Sequence, residues 1–122
     1  MQEWTITPER FLSKPELGRL IQRVEDCRTI GVSRGQAQPV RDWMIVRLAV
    51  LSGLRASEIC DLRVSDCRVG YGESDLFVRC GKGGKSRRVR IGNDLKRDLR
   101  WYRKWLSEKG EVQADDHLIR SQ

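Results

Sequence analysis

The chain has 122 residues, with 24 Lys and Arg against 17 Asp and Glu and a formal charge of +7. Hydrophobic residues at 39% and four tryptophans supply one modest core, which argues against a disordered basic tail. No run approaches the roughly 18 apolar residues of a membrane span, and the positive balance points to a polyanion such as nucleic acid.

Ser13-Lys-Pro-Glu16 reads as a capping box with proline in the first turn, so a helix is expected over about residues 14–28. Leu17, Leu20, Ile21 and Val24 mark its buried face. Gly31 to Pro39 is loop chemistry. A second helix is expected over about 39–52, with Trp43, Met44, Ile45, Val46, Leu48, Ala49, Val50 and Leu51 around nearly its whole circumference. Such a helix is buried and central, and Gly53 suits its left-handed stop. A short third helix follows over about 56–62. Strands are expected over about 67–69, 75–80 and 86–91, the last two joined by Gly81-Lys-Gly-Gly84. Leu76, Val78 and Cys80 alternate with Phe77 and Arg79, and Val89 and Ile91 with Arg88 and Arg90. One face of this hairpin should therefore pack while the other is cationic. Asn93 caps a final helix over about 93–109, which turns Leu95, Leu99, Tyr102 and Leu106 inward and ends at Gly110. The tail from Glu111 to Gln122 has no strong pattern. The whole reads as one α+β domain, mainly helical, with a small three-stranded antiparallel sheet.

Four cysteines at 27, 60, 67 and 80 form no C-x-x-C pair, and His117 is the single histidine, so neither metal nor cofactor is expected. Cys60 and Cys80 fall where burial is expected, as reduced thiols of a cytoplasmic protein. Met1-Gln-Glu-Trp-Thr5 lacks the basic and apolar stretches of a secretory signal.

Two positions carry the chemistry. Arg55 follows a buried helix and a glycine, so its backbone is held against the core and its guanidinium can grip two phosphate oxygens. Glu58, three residues on, either orients Arg55 or makes an ordinary ion pair with it. Lys82 sits among Gly81, Gly83 and Gly84, whose backbone can approach a ligand closely. Arg79, Lys85, Arg87, Arg88 and Arg90 surround it with no acid between them, which suits a polyanion better than a solvated face. Tyr71 and Tyr102 fall at a turn and on an inward helix stripe, where packing accounts for both.

Leu51-Ser-Gly-Leu-Arg-Ala-Ser-Glu-Ile-Cys-Asp-Leu62, with Val64-Ser-Asp66 after it, resembles the first arginine motif of the tyrosine recombinases, or phage integrases. Gly81-Lys-Gly-Gly-Lys-Ser-Arg-Arg-Val-Arg-Ile91 looks like that family's β-hairpin, and Phe11-Leu-Ser-Lys-Pro-Glu-Leu17 is similar to the opening of its catalytic domain. The resemblance implies that Arg55 holds the scissile phosphate with Glu58 as a supporting acid. It also implies that Lys82 enters the minor groove and protonates the departing 5′-hydroxyl, and Arg87 falls on a basic hairpin position. The family breaks and rejoins DNA through a 3′-phosphotyrosine, without metal or nucleotide. Its second arginine and its tyrosine belong to a C-terminal half, and Leu118-Ile-Arg-Ser121 resembles the segment just before that half.

Residues 1–122 are therefore expected to be the N-terminal half of such a catalytic domain. Arg55, Lys82 and Glu58 would be its site residues, Arg79, Lys85, Arg87 and Arg88 its DNA contacts, and no residue its nucleophile. Double-stranded DNA is the implied partner, beside self-association or a recombinase partner. The competing expectation is a non-catalytic DNA-binding or regulatory module built on the same fold.

Overall fold

The computed structural model describes residues 13–79 and 82–119. Helix α1 spans Lys14–Arg34 and opens on the expected capping box: the Ser13 hydroxyl accepts the Glu16 amide at 3.3 Å while Glu16 accepts the Ser13 amide at 3.3 Å. It runs six residues past the expected end, to a left-handed Gly35. The misread residue is Gly31, which stays helical and lets the next helix approach. A Cβ there would meet Pro39 at 3.0 Å and the Gln36 carbonyl at 3.1 Å.

Helix α2, Gln38–Ser52, turns back along α1 and stops at left-handed Gly53. Its Val40, Trp43, Met44, Leu48 and Ala49 are buried, yet Leu51 is exposed and Val46 and Val50 are half-buried. The helix is thus central but not enclosed all round. Helix α3 is short, Ala56–Asp61, and a 3-10 turn follows at Val64–Asp66.

Strands β1 (Cys67–Arg68), β2 (Asp75–Val78) and β3 (Arg87–Arg90) form an antiparallel sheet in the order β1-β2-β3. Leu76 lies opposite Cys67 on one side and Val89 on the other, and Val78 lies opposite Arg87. Leu76 and Val78 point into the core, as their alternation required, while Phe77 turns outward beneath Arg79 and Arg88 at 5.9 and 5.8 Å. Each strand is shorter than expected. The predicted end of β2 at Cys80 lies outside the described residues, and Arg79 leaves the ladder to meet an acid from elsewhere.

Helix α4, Asn93–Lys109, buries Leu95, Leu99, Tyr102, Trp105 and Leu106 against α2 and the sheet. Gly92, not Asn93, is its N-cap. The tail is ordered by packing that its sequence does not advertise. Leu118 is wholly buried, and its carbonyl accepts the Tyr102 hydroxyl at 3.1 Å. Backbone bonds from Val64 to Asp116 (2.8 Å) and from Leu118 to Leu62 (2.9 Å) fix the tail beside the 3-10 turn.

Candidate nucleic-acid interface

Arg55 occupies the extended residue that begins α3, with φ −74° and ψ 157°. Its neighbour Leu54 is fully buried, so the backbone from which the guanidinium rises is anchored in the core. Its amide donates to Glu58 Oε1 at 2.8 Å, which satisfies one orphan donor at the helix start. Glu58 is only 4% exposed. Its carboxylate also accepts Arg87 Nη1 on Oε2 at 2.6 Å and Arg87 Nη2 on Oε1 at 3.2 Å. Burial pushes the Glu58 pKa up, but the hydrogen bonds from Arg87 and the Arg55 amide outweigh it and hold the group below the usual glutamate value. The same contact pushes Arg87 higher still. Glu58 therefore stays an anion and joins the Arg55 segment to the first residue of β3.

A second carboxylate repeats this arrangement. Asp66, 3% exposed, accepts the Arg63 amide at 3.0 Å. Arg79, one residue beyond β2, donates to both Asp66 oxygens, from Nε at 3.1 Å to each and from Nη2 to Oδ1 at 3.0 Å. The two feet of the glycine-rich loop are thus both held by arginine–carboxylate forks. Between them lies a 3-10 turn at Lys82–Gly84, with Gly83 and Gly84 at φ 71° and 74°. These left-handed glycines are what the chain needs to turn so tightly. The Lys82 side chain lies outside the described residues; Lys85 is exposed.

The hairpin was expected to carry cations unanswered by any acid, and in space that is incorrect. Glu58 answers Arg87, Asp66 answers Arg79, and Asp75 stands 3.8 Å from Arg88 and 3.5 Å from Arg68. Glu58 and Asp66 come from preceding segments, so a window along the hairpin could not reveal them, whereas Asp75 opens β2 itself. One sequence signal was available: Arg55-Ala-Ser-Glu58 and Arg63-Val-Ser-Asp66 repeat an arginine and an acid at the same spacing. Arg87 and Arg79 keep outward surfaces, with side chains 43% and 45% exposed. Arg88 and Arg90, opposite Phe77 and Asp75 on the outer face of the sheet, are also exposed.

Other expected assignments divide. Cys60, expected buried, is exposed on the outer side of α3, because the neighbouring Ile59 takes the inward position. Cys80, also expected buried, lies outside the described residues; among the described cysteines Cys67 is the buried one, and burial pushes its pKa up to about 12. Tyr102 is buried, and Tyr71 stands fully exposed in the β1–β2 turn. No cluster of three metal-ligating side chains occurs among the described residues, and none of their helices is long and apolar enough to cross a membrane.

A family model described as the phage integrase family matches residues 10–122. Tyrosine recombinase XerC of Xanthomonas axonopodis pv. citri is 31% identical over 117 residues, covering 93% of this chain and 36% of the relative. Tyrosine recombinase XerA of Pyrococcus horikoshii is 41% identical over 68 residues, covering 56% and 23% respectively. A solved structure described as XerA recombinase superposes with a TM-score of 0.62 at 26% identity, over 92% of this chain and 34% of that one. The chain thus spans between a fifth and two fifths of the length of these relatives.

Proposed function

We propose a role in DNA strand exchange on one premise: this chain belongs to the phage integrase family. The observation that carries the reading is the shared carboxylate of Glu58, which brings the Arg55 segment and the foot of the Lys82 hairpin to one edge of the molecule. In this reading the Arg55 guanidinium clamps two non-bridging oxygens of a DNA phosphate and stabilises the charge that builds on them in the transition state. Lys82, five residues before Arg87 on a tight glycine turn, reaches the same sugar–phosphate link and donates a proton to the departing 5′-oxygen. Lys85 and Arg88 meet the phosphates of duplex DNA, while Arg79 and Arg87, tied to Asp66 and Glu58, add only to the positive potential around them.

Strand cleavage needs a nucleophile, and neither tyrosine suits the part. Tyr102 is wholly buried with its hydroxyl on the Leu118 carbonyl. Tyr71 lies at the opposite end of β2 from the loop, about 13 Å along the strand for its four residues. This stretch by itself therefore binds DNA without opening it. Exposed Ile30, Val32 and Leu51 leave apolar surface for a second copy or a recombinase partner, and a sedimentation coefficient that rises with concentration would support that part.

The test is incubation with nicked suicide DNA substrates, followed by denaturing gel and by native mobility shift. A shifted complex with no covalent adduct is expected. A trapped adduct on Tyr71 or Tyr102, or no shift at low salt, would contradict the reading.

A further inference from the structure

We infer that Arg79 and Arg87 are positioning residues that pin the two ends of the glycine-rich loop, rather than ligands of a DNA phosphate. The inference deepens the proposed function, because it assigns their role at that same site. Arg79 lies one residue after β2 and Arg87 opens β3, so between them they bracket the loop. Each spends its fork on a carboxylate that is nearly inaccessible to solvent, Asp66 at 3% and Glu58 at 4% exposed. Each carboxylate also accepts the amide of the extended residue three positions earlier, Arg63 at 3.0 Å and Arg55 at 2.8 Å. The two halves are built from the repeated Arg-x-Ser-acid spacing at 55–58 and 63–66.

A planar fork held by two oxygens resists rotation, whereas an ammonium on a single point contact does not. The loop between the forks carries two left-handed glycines and no buried side chain among its described positions 83 to 86. Through Glu58, the Arg87 end is registered directly to the backbone of Arg55. Transfer of either guanidinium to a phosphate would take from a buried carboxylate the fork that answers both of its oxygens, which is unfavourable.

Arg87→Lys and Arg79→Lys test this, since each keeps the charge and loses the fork. The direct readout is the ¹⁵N heteronuclear NOE of the Gly83 and Gly84 amides in DNA-free protein, with melting and amide dispersion reporting the fold. The NOE should drop at the loop in both variants while the core amides stay unchanged. DNA affinity should fall about tenfold, because the loosened loop must be ordered on binding, with the salt slope retained. Loop amides as ordered as in the parent protein would overturn the inference, and the two feet are read independently should one variant unfold. If the parent chain bound no DNA, the functional reading would fail while the loop result still decided the pinning.

Discussion

Glu58 shows how a single buried anion can be tolerated. It has an amide on Oε1 and a guanidinium across both oxygens, so its lone pairs are answered on every side that water does not reach. Glu58→Gln keeps the shape and the bond to the Arg55 amide but removes the charge opposite Arg87. We expect a loss of about 1–3 kcal/mol, measured as a lower urea midpoint at unchanged slope. The acid limb of the stability curve should change as well. The folded pKa of Glu58 lies below its ordinary 4.5, so its contribution is complete above that value and is lost as pH falls through the depressed folded one. Stability measured downwards from neutral pH should therefore fall less steeply in Glu58→Gln. Asp98 carries the opposite sign. Burial raises its pKa above 3.8 despite the Arg47 contact at 2.7 Å, so its contribution is complete below that value and lost as pH rises through the folded one. The thiols give a separate check. Cys27 and Cys60 should alkylate in native protein at pH 8, while Cys67, buried and pushed up to about 12, should label only on unfolding. Peptide mapping by mass spectrometry reads all three, and native labelling of Cys67 would contradict its placement.

Among the elements, those written in strong local chemistry were readable in the sequence. The Ser13 box, the buried positions Trp43, Met44 and Leu48 and the stripe Leu95, Leu99, Tyr102 and Leu106 each appear as expected. Errors arose where a residue answers to something distant. Gly31 reads locally as a stop, but its purpose is the approach of Pro39. The tail reads as patternless because one leucine and a few backbone bonds suffice to dock it. Arg79 and Arg87 read as free cations because their acids lie 13 and 29 residues away in sequence. The site was legible as a pair of motifs, Arg55 and the Lys82 hairpin; the carboxylates that join them were only partly legible, with Glu58 noted and Asp66 missed. A tertiary contact of this kind leaves no period to detect. At the level of elements the expectation is that Gly31→Ala separates α1 from α2. The added methyl would press on Pro39 and Gln36 at about 3 Å, costing about 1–3 kcal/mol as overpacking does. A thermal midpoint lowered by several degrees would agree, and an unchanged one would mean the helices shift freely.

The molecule as a whole is a helical body with a small sheet set against its core, and the stretch joining β2 to β3 carries Lys82 and Lys85. Packing is uneven: α2 and α4 meet over a shared core, whereas Gly31 is the one residue of the 21-residue α1 that is fully buried. Even so, α1 is tied at mid-length, where the Trp43 indole donates to Glu25 at 2.9 Å and the Arg28 guanidinium lies 4.3 Å and 4.7 Å from the Trp43 and Trp101 ring centroids. Positive charge on the hairpin is shared out by its partners: buried acids hold the forks of the exposed Arg79 and Arg87, and the proposed reading leaves Lys85 and Arg88 as the DNA contacts. The most direct test is the salt dependence of duplex DNA binding, followed by fluorescence anisotropy in the parent chain and in Lys85→Ala/Arg88→Ala. Each phosphate contact removed should lower the slope of log affinity against log salt by about one, so the double variant should lose about two. An identical slope in the two proteins would take the hairpin off the DNA and contradict the account.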